Sequence, residues 1–139
     1  MTIKQLSIFI ENKGGTLIKV LDLLSKAGIQ IIASTVADTK DYGIYRILCN
    51  DPAQAYLILK EASINVQLSD VIALSIDDKP GRAAEAVKKI SDTGVSILYL
   101  YSFLWKGKGV LVFRADPSEK AKETIMLNKM TFMTEADFR

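Results

Sequence analysis

Hydrophobic and polar positions follow the same pattern twice along the chain. Leu6, Ile8 and Ile10 alternate with Ser7, and Ile72, Leu74 and Ile76 alternate with Ala73 and Ser75. Period-two alternation predicts a half-buried strand at the start of each half. Polar turns follow, Glu11-Asn12-Lys13-Gly14-Gly15 in one half and Asp77-Asp78-Lys79-Pro80-Gly81 in the other. Leu17, Val20, Leu21 and Leu24 then recur at helical spacing, matched by Ala83, Ala86, Val87 and Ile90. Each set predicts an amphipathic helix lying on a core. Gly28 and Gly94 stand just past its end, where a left-handed cap favours glycine.

The second halves of the copies also correspond. Strands are predicted from Ile29 to about Ala37 and from Val95 to about Leu104, then from Ile44 to Cys49 and from Val110 to Arg114. Lys40-Asp41-Tyr42-Gly43 and Lys106-Gly107-Lys108-Gly109 turn between them. Asp51-Pro52 and Asp116-Pro117 read as an N-cap aspartate and a first-turn proline, each opening a second helix. Short last strands are predicted over Ile64 to Leu68 and Met130 to Met133. Leu6 to Gly43 overlays Ile72 to Gly109 without a gap, with identities that include Ile10/Ile76, Lys13/Lys79, Gly15/Gly81, Ser25/Ser91, Gly28/Gly94, Ile31/Ile97 and Gly43/Gly109. This is an internal duplication.

The order βαββαβ predicts an α+β fold of two ferredoxin-like units, 1–69 and 70–139. Each is expected to be a four-stranded antiparallel sheet with two helices on one face. Leu98, Leu100 and Leu104 share one parity of a strand, and Tyr99, Tyr101, Phe103 and Trp105 share the other. A strand apolar on both parities predicts burial on both faces, so the helix-free face must meet the other unit, a second chain or a ligand.

Composition narrows the chemistry. The 139 residues include no histidine, which removes the commonest general base and metal ligand and every Ser-His or Cys-His nucleophile system. No catalytic residue, metal site or cofactor is predicted. Cys49 has no cysteine partner, so no oxidising compartment is required. No apolar run is long enough to span a membrane, and Met1 to Ile10 does not read as a signal peptide. A cytoplasmic protein is expected. The net charge of +2, without a basic cluster, speaks against nucleic acid as a partner.

Strand, loop with Gly15 or Pro80-Gly81, helix, then Gly28-Ile29 or Gly94-Val95 and strand: in two copies this resembles the ACT domain, a small amino-acid-binding regulatory module. Asp78-Lys79-Pro80-Gly81-Arg82-Ala83 is similar to that family's first loop; Gly14 departs from it, standing where proline is usual. The resemblance implies a non-catalytic sensor that binds a free amino acid at an interface of ACT units. Its implied site comprises Asn12, Lys13, Gly14, Gly15 and Thr16 in the first copy, Asp78, Lys79, Pro80, Gly81 and Arg82 in the second, with Ile31 and Ile97 on the second strands. It also implies control of a partner, such as an enzyme of amino-acid metabolism, or of oligomeric state. A homodimer is expected, because the exposed sheets cannot all be hidden within one tandem.

Simpler roles stand beside these. Gly15 and Gly81 also suit a tight strand-to-helix turn, and Asn12 and Asp78 also suit helix caps. Arg82 opposes the dipole of its helix, which carboxylate binding or an ion pair would explain. The aromatic series suits sheet packing as well as a ligand. Among rival functions, Lys106 to Phe113 resembles the third-strand motif of RNA-recognition folds, but Lys108 and Val110 occupy the positions that need stacking aromatics. A pair that binds a partner protein and no ligand is the remaining alternative.

Overall fold

The computed structural model describes residues 1–11, 15–38 and 41–139. In chain order the elements are β1 (Thr2–Glu11), α1 (Thr16–Lys26), β2 (Ile31–Asp38), β3 (Tyr42–Cys49), α2 (Pro52–Glu61), β4 (Val66–Ile76), α3 (Arg82–Ser91), β5 (Ser96–Trp105), β6 (Lys108–Asp116), α4 (Ser118–Leu127) and a 3₁₀ turn, Glu135–Phe138. These make two ferredoxin-like βαββαβ units. One strand, β4, runs unbroken from Val66 to Ile76 and so joins Val66 to Leu68 with the stretch that the sequence pattern treats as a separate strand after Ser69-Asp70.

One unit comprises Lys4–Ser69 with Phe138–Arg139. Here β3 lies antiparallel between β1 and β2. The Phe9 N–H donates to the Asn65 carbonyl at 2.9 Å, just before β4. Leu6, Ile8 and Ile47 meet Val20 and Leu24 of α1 and Leu59 of α2 in one buried cluster. The helical spacing of the sequence thus reads correctly onto the core. At the end of α1, Gly28 has φ +73° and the Ile29 N–H returns to the Leu24 carbonyl, which satisfies an otherwise orphaned acceptor.

The other unit comprises Asp70–Asp137 with Met1–Ile3. Here β6 lies antiparallel between β4 and β5. Ile72, Leu74, Leu111 and Phe113 pack with Ile90 of α3 and Ile125 of α4. The strand predicted over Met130 to Met133 is reduced to a bridge between Phe132 and Leu74, with hydrogen bonds from Ser75 to Thr131 and from Met133 to Ala73. Pairing stops because the Asp137 carboxylate accepts from the Thr134 N–H at 2.7 Å and closes the 3₁₀ turn.

The second helices differ between the copies. Asp51 caps α2 as predicted, accepting from the Gln54 N–H at 3.2 Å, with Pro52 in the first turn. Asp116 instead ends β6, and Pro117, joined to it by a cis peptide bond, is the N-cap of α4. No side chain caps that helix.

The prediction that both parities of the second unit's second strand are buried needs correction. Ala73, Val110 and Val112, off the helix-facing cluster, are fully buried, and Tyr99, Tyr101, Phe103 and Trp105 are half-buried. Leu98, Leu100 and Leu104 are exposed at 56%, 41% and 64%. The cause lies in the pairing: β5 bonds to β6 along one side only, and a bulge between Ile97 and Tyr99 shifts its register. The same bulge interrupts β2 between Ile31 and Ala33.

Candidate functional site in the second unit

The loop from β4 to α3 is built around Gly81. Its φ of +88° is a left-handed conformation that side chains other than glycine's resist, and it is the N-cap of α3 without any side-chain cap. A Cβ added there would meet no atom within 4 Å, so the backbone angle and not crowding within the chain selects glycine. Gly15 repeats this at the start of α1, with φ +107°. Asp78 therefore does not cap α3. Its carboxylate makes no hydrogen bond or ion pair among the described residues and is exposed. The Lys79 N–H donates to the Asp77 carbonyl, and the Arg82 N–H to the Lys79 carbonyl, which folds the loop into a tight turn.

Asp77 ties that turn to the sheet. Lys108 Nζ donates to its Oδ1 at 2.7 Å, from the first residue of β6. The hydrogen bond and charge of Lys108 hold the Asp77 carboxyl below its usual range, helped by the nearby charges of Lys79 and Arg82.

A cavity of about 540 Å³ lies under the loop. Asp78, Lys79, Pro80 and Gly81 line it from above, Ile76 and Ala83 flank the turn, and Ser102 to Leu104 of β5 and Gly109 to Leu111 of β6 form its far wall. Its size is that of a small-molecule site. The amide groups opening a helix have no partner within it, and since the Arg82 N–H already donates to Lys79, the amides that follow it in the first turn of α3 are the donors suited to a carboxylate.

Arg82 is not part of this cavity. It holds Glu85 at 2.9 and 3.1 Å and lines a separate groove of about 360 Å³ with Asp77, Lys89 and Lys108. An ion pair one turn along its own helix accounts for it. Ile97 is not brought to the loop either. It pairs with Ala115 and packs on the core, at the opposite end of β5 from Leu104, which pairs with Gly109. Ile31 lines a different cavity, beside Ser25 and Gly28 at the end of α1. Asn12, Lys13 and Gly14 lie outside the described residues; Gly15 and Thr16 open α1.

The sequence reading missed Ile76, Asp77 and Ala83 beside the loop, and Ser102 to Leu104 and Gly109 to Leu111 on the strands. Antiparallel pairing supplies the signal. The first strand ends at the loop, so the third begins beside it and the second ends beside it. Of the aromatic series only Phe103 lines the cavity. Tyr101 and Phe103 stand opposite Val112 and Val110, so the series belongs to the helix-free face. Its counterparts in the first unit are Ala33, Thr35 and Ala37, while Thr39 lies outside the described residues.

Among the described residues no group of acidic, cysteine or histidine side chains could hold a metal ion. No helix among them is long and apolar enough to cross a membrane.

Residues 1–139 match the family model described as an ACT domain pair. A protein from Bacteroides thetaiotaomicron, known as a crystal structure, is 36% identical, with a TM-score of 0.93 over 99% of this chain and 96% of that one. The ligand-free regulatory subunit of aspartate kinase from Thermus thermophilus is 16% identical, with a TM-score of 0.62 over 89% of this chain and 91% of that one. The aspartate kinase of Clostridium acetobutylicum, described as an allosteric enzyme, is 17% identical, with a TM-score of 0.52 over 98% of this chain and 33% of that one. Comparison with curated protein sequences gives no match. The duplicated fold, the glycine-turned loops and the whole-length match lead to one assignment: the chain belongs to the ACT domain pair family, a regulatory and not a catalytic type of domain.

Proposed function

We propose that this chain is a cytoplasmic sensor of a free amino acid, bound at the loop between β4 and α3. Binding would regulate a partner enzyme of amino-acid metabolism or the chain's own association into a homodimer. The observation that carries this reading is the loop itself: an Asp78 carboxylate without a hydrogen bond or ion pair among the described residues, and the first-turn amides of α3 after Arg82, over a cavity of about 540 Å³. The amides suit the carboxylate of an α-amino acid, and Asp78 suits its ammonium group. The fold shared with the regulatory subunit of an aspartate kinase supports the regulatory part. A ligand that binds one conformation of the chain better shifts the population toward it, and the partner's affinity changes by the same coupling.

A thermal-shift screen of the purified chain against the twenty amino acids tests the proposal. Saturation at 100-fold over Kd adds about 2.7 kcal/mol. For a chain of this size that raises Tm on the order of 5 to 15 °C. A flat response across all twenty overturns the sensor reading. The alternative, a pair that docks a protein without a ligand, draws on the exposed Leu98, Leu100 and Leu104 of β5. Exposed apolar residues along an unpaired strand edge suit a protein surface.

A further inference from the structure

We propose that the cavity of the second unit selects amino acids with apolar side chains over polar or charged ones. This inference rests on the amino-acid-sensor reading and adds the class of ligand to it.

Charge in the cavity is confined to its loop side. Asp77 is engaged by Lys108 at 2.7 Å. Asp78 and Lys79, adjacent and opposite in sign, are left to meet a zwitterionic head group. The far wall has a different character. Ile76, Leu104 and Leu111 stand on one side of the sheet with Ser102 their one polar neighbour, while Phe103 and Val110 alternate to the other side. A ligand whose head group sits at the loop therefore directs its side chain onto hydrocarbon.

An ionised side chain placed there leaves water without a counter-charge, a cost that weakens binding. An apolar side chain instead covers surface that is now wet: Leu104, beside Ile76 and Leu111, is 64% exposed. Discrimination by an apolar wall is graded. Each methylene that fills it is worth roughly tenfold or more in affinity. Leucine, methionine and phenylalanine should bind at least tenfold more tightly than alanine, and aspartate and lysine should not compete.

Isothermal titration of the full chain with these six amino acids is the test, repeated on Leu104→Asp. Because Leu104 is exposed and lies outside the buried core, the variant should keep its ligand-free Tm and circular dichroism. The expected result is binding of the larger apolar amino acids, weakened at least tenfold by the substitution. Preference for aspartate or lysine in the unmodified chain overturns the apolar selection and leaves the sensor reading intact. Binding of apolar amino acids that Leu104→Asp does not alter also overturns it, since the side chain then lies elsewhere. Absence of binding by all six, confirmed against the remaining amino acids, removes the sensor reading and this inference with it.

Discussion

Glycines at matched positions of the two copies serve different physical purposes. Gly28 has φ +73° and open space around its missing Cβ, so only the backbone angle requires it. Gly28→Ala should cost about 1 kcal/mol, and no neighbouring substitution should relieve it. Gly43 has no such angle. A Cβ there would lie 3.1 Å from Cγ1 of Ile10, its partner across the sheet, and Gly109 meets Ile76 in the same way at 3.1 Å. Gly43→Ala should cost about 1 to 3 kcal/mol by crowding a packed strand pair. On an Ile10→Ala background, which removes Cγ1, Gly43→Ala should cost less, giving a non-additive double-mutant cycle in urea denaturation. Equal costs of Gly43→Ala on both backgrounds would show that crowding is not the cause.

The sequence marks both kinds of glycine alike, because repetition shows that a residue is needed and not why. Gly28 and Gly94 are legible from their place after a helix, whereas Gly43 and Gly109 read as turn residues until the register is known. Asp77 and Lys108 are legible only as separate charges, thirty-one positions apart in the chain. Their ion pair gives a pH signature. Lys108 lowers the folded pKa of Asp77 below its unfolded value, so the pair stabilises the fold above the unfolded pKa and that contribution is lost as pH falls through the folded one. In Lys108→Ala, the Asp77 carboxyl followed by NMR should titrate nearer the ordinary range. An unchanged titration would remove Lys108 as the cause. Both side chains are more than half exposed, so added salt should weaken the effect in the unmodified protein.

At the scale of elements, the duplication predicts the same structure twice, and departures occur where local chemistry differs. The first strand, the first helix and the positive-φ glycine that follows it agree in both copies because periodicity and backbone conformation dictate them. The second helix does not. Asp51→Ala should remove a real capping bond and cost about 1 kcal/mol. Asp116→Ala should cause no loss of helix capping, because no side chain caps α4. Hydrogen exchange at the first turns of α2 and α4 reads the contrast, and comparable fraying in both variants would overturn it. Asp-Pro alone cannot distinguish the two, since the identical dipeptide sits one residue further from its helix in the second copy. The cavity was legible by a similar half. Its loop stands out as a polar break between strand and helix, while its floor depends on which strand ends pair. Ile97 enters only through the resemblance, which places a ligand beside the second strand, whereas Leu104 follows from the register.

For the whole molecule, the open strand edge predicts how the chain would meet another copy. Two uncovered sheet faces were the ground for expecting a homodimer, yet Ala73, Val110 and Val112 are buried within the chain. Three of the exposed apolar side chains, Leu98, Leu100 and Leu104, lie together on β5, which bonds to a neighbour along one side only. An edge strand of ten residues with exposed leucines invites pairing, whereas edges that stay single carry lysines, prolines or bulges that resist it. The β5 bulge lies near its start, between Ile97 and Tyr99, which leaves the run to Trp105 in regular register. Association through this edge predicts a dimer by sedimentation at micromolar concentration. Leu98→Lys combined with Leu100→Lys should turn it into a monomer with unchanged circular dichroism, because both side chains are exposed and a charged edge repels its copy. A monomeric unmodified chain, with and without amino acid, would overturn the dimer. A double variant that remains dimeric would move the interface to another surface and leave the β5 edge for a different partner.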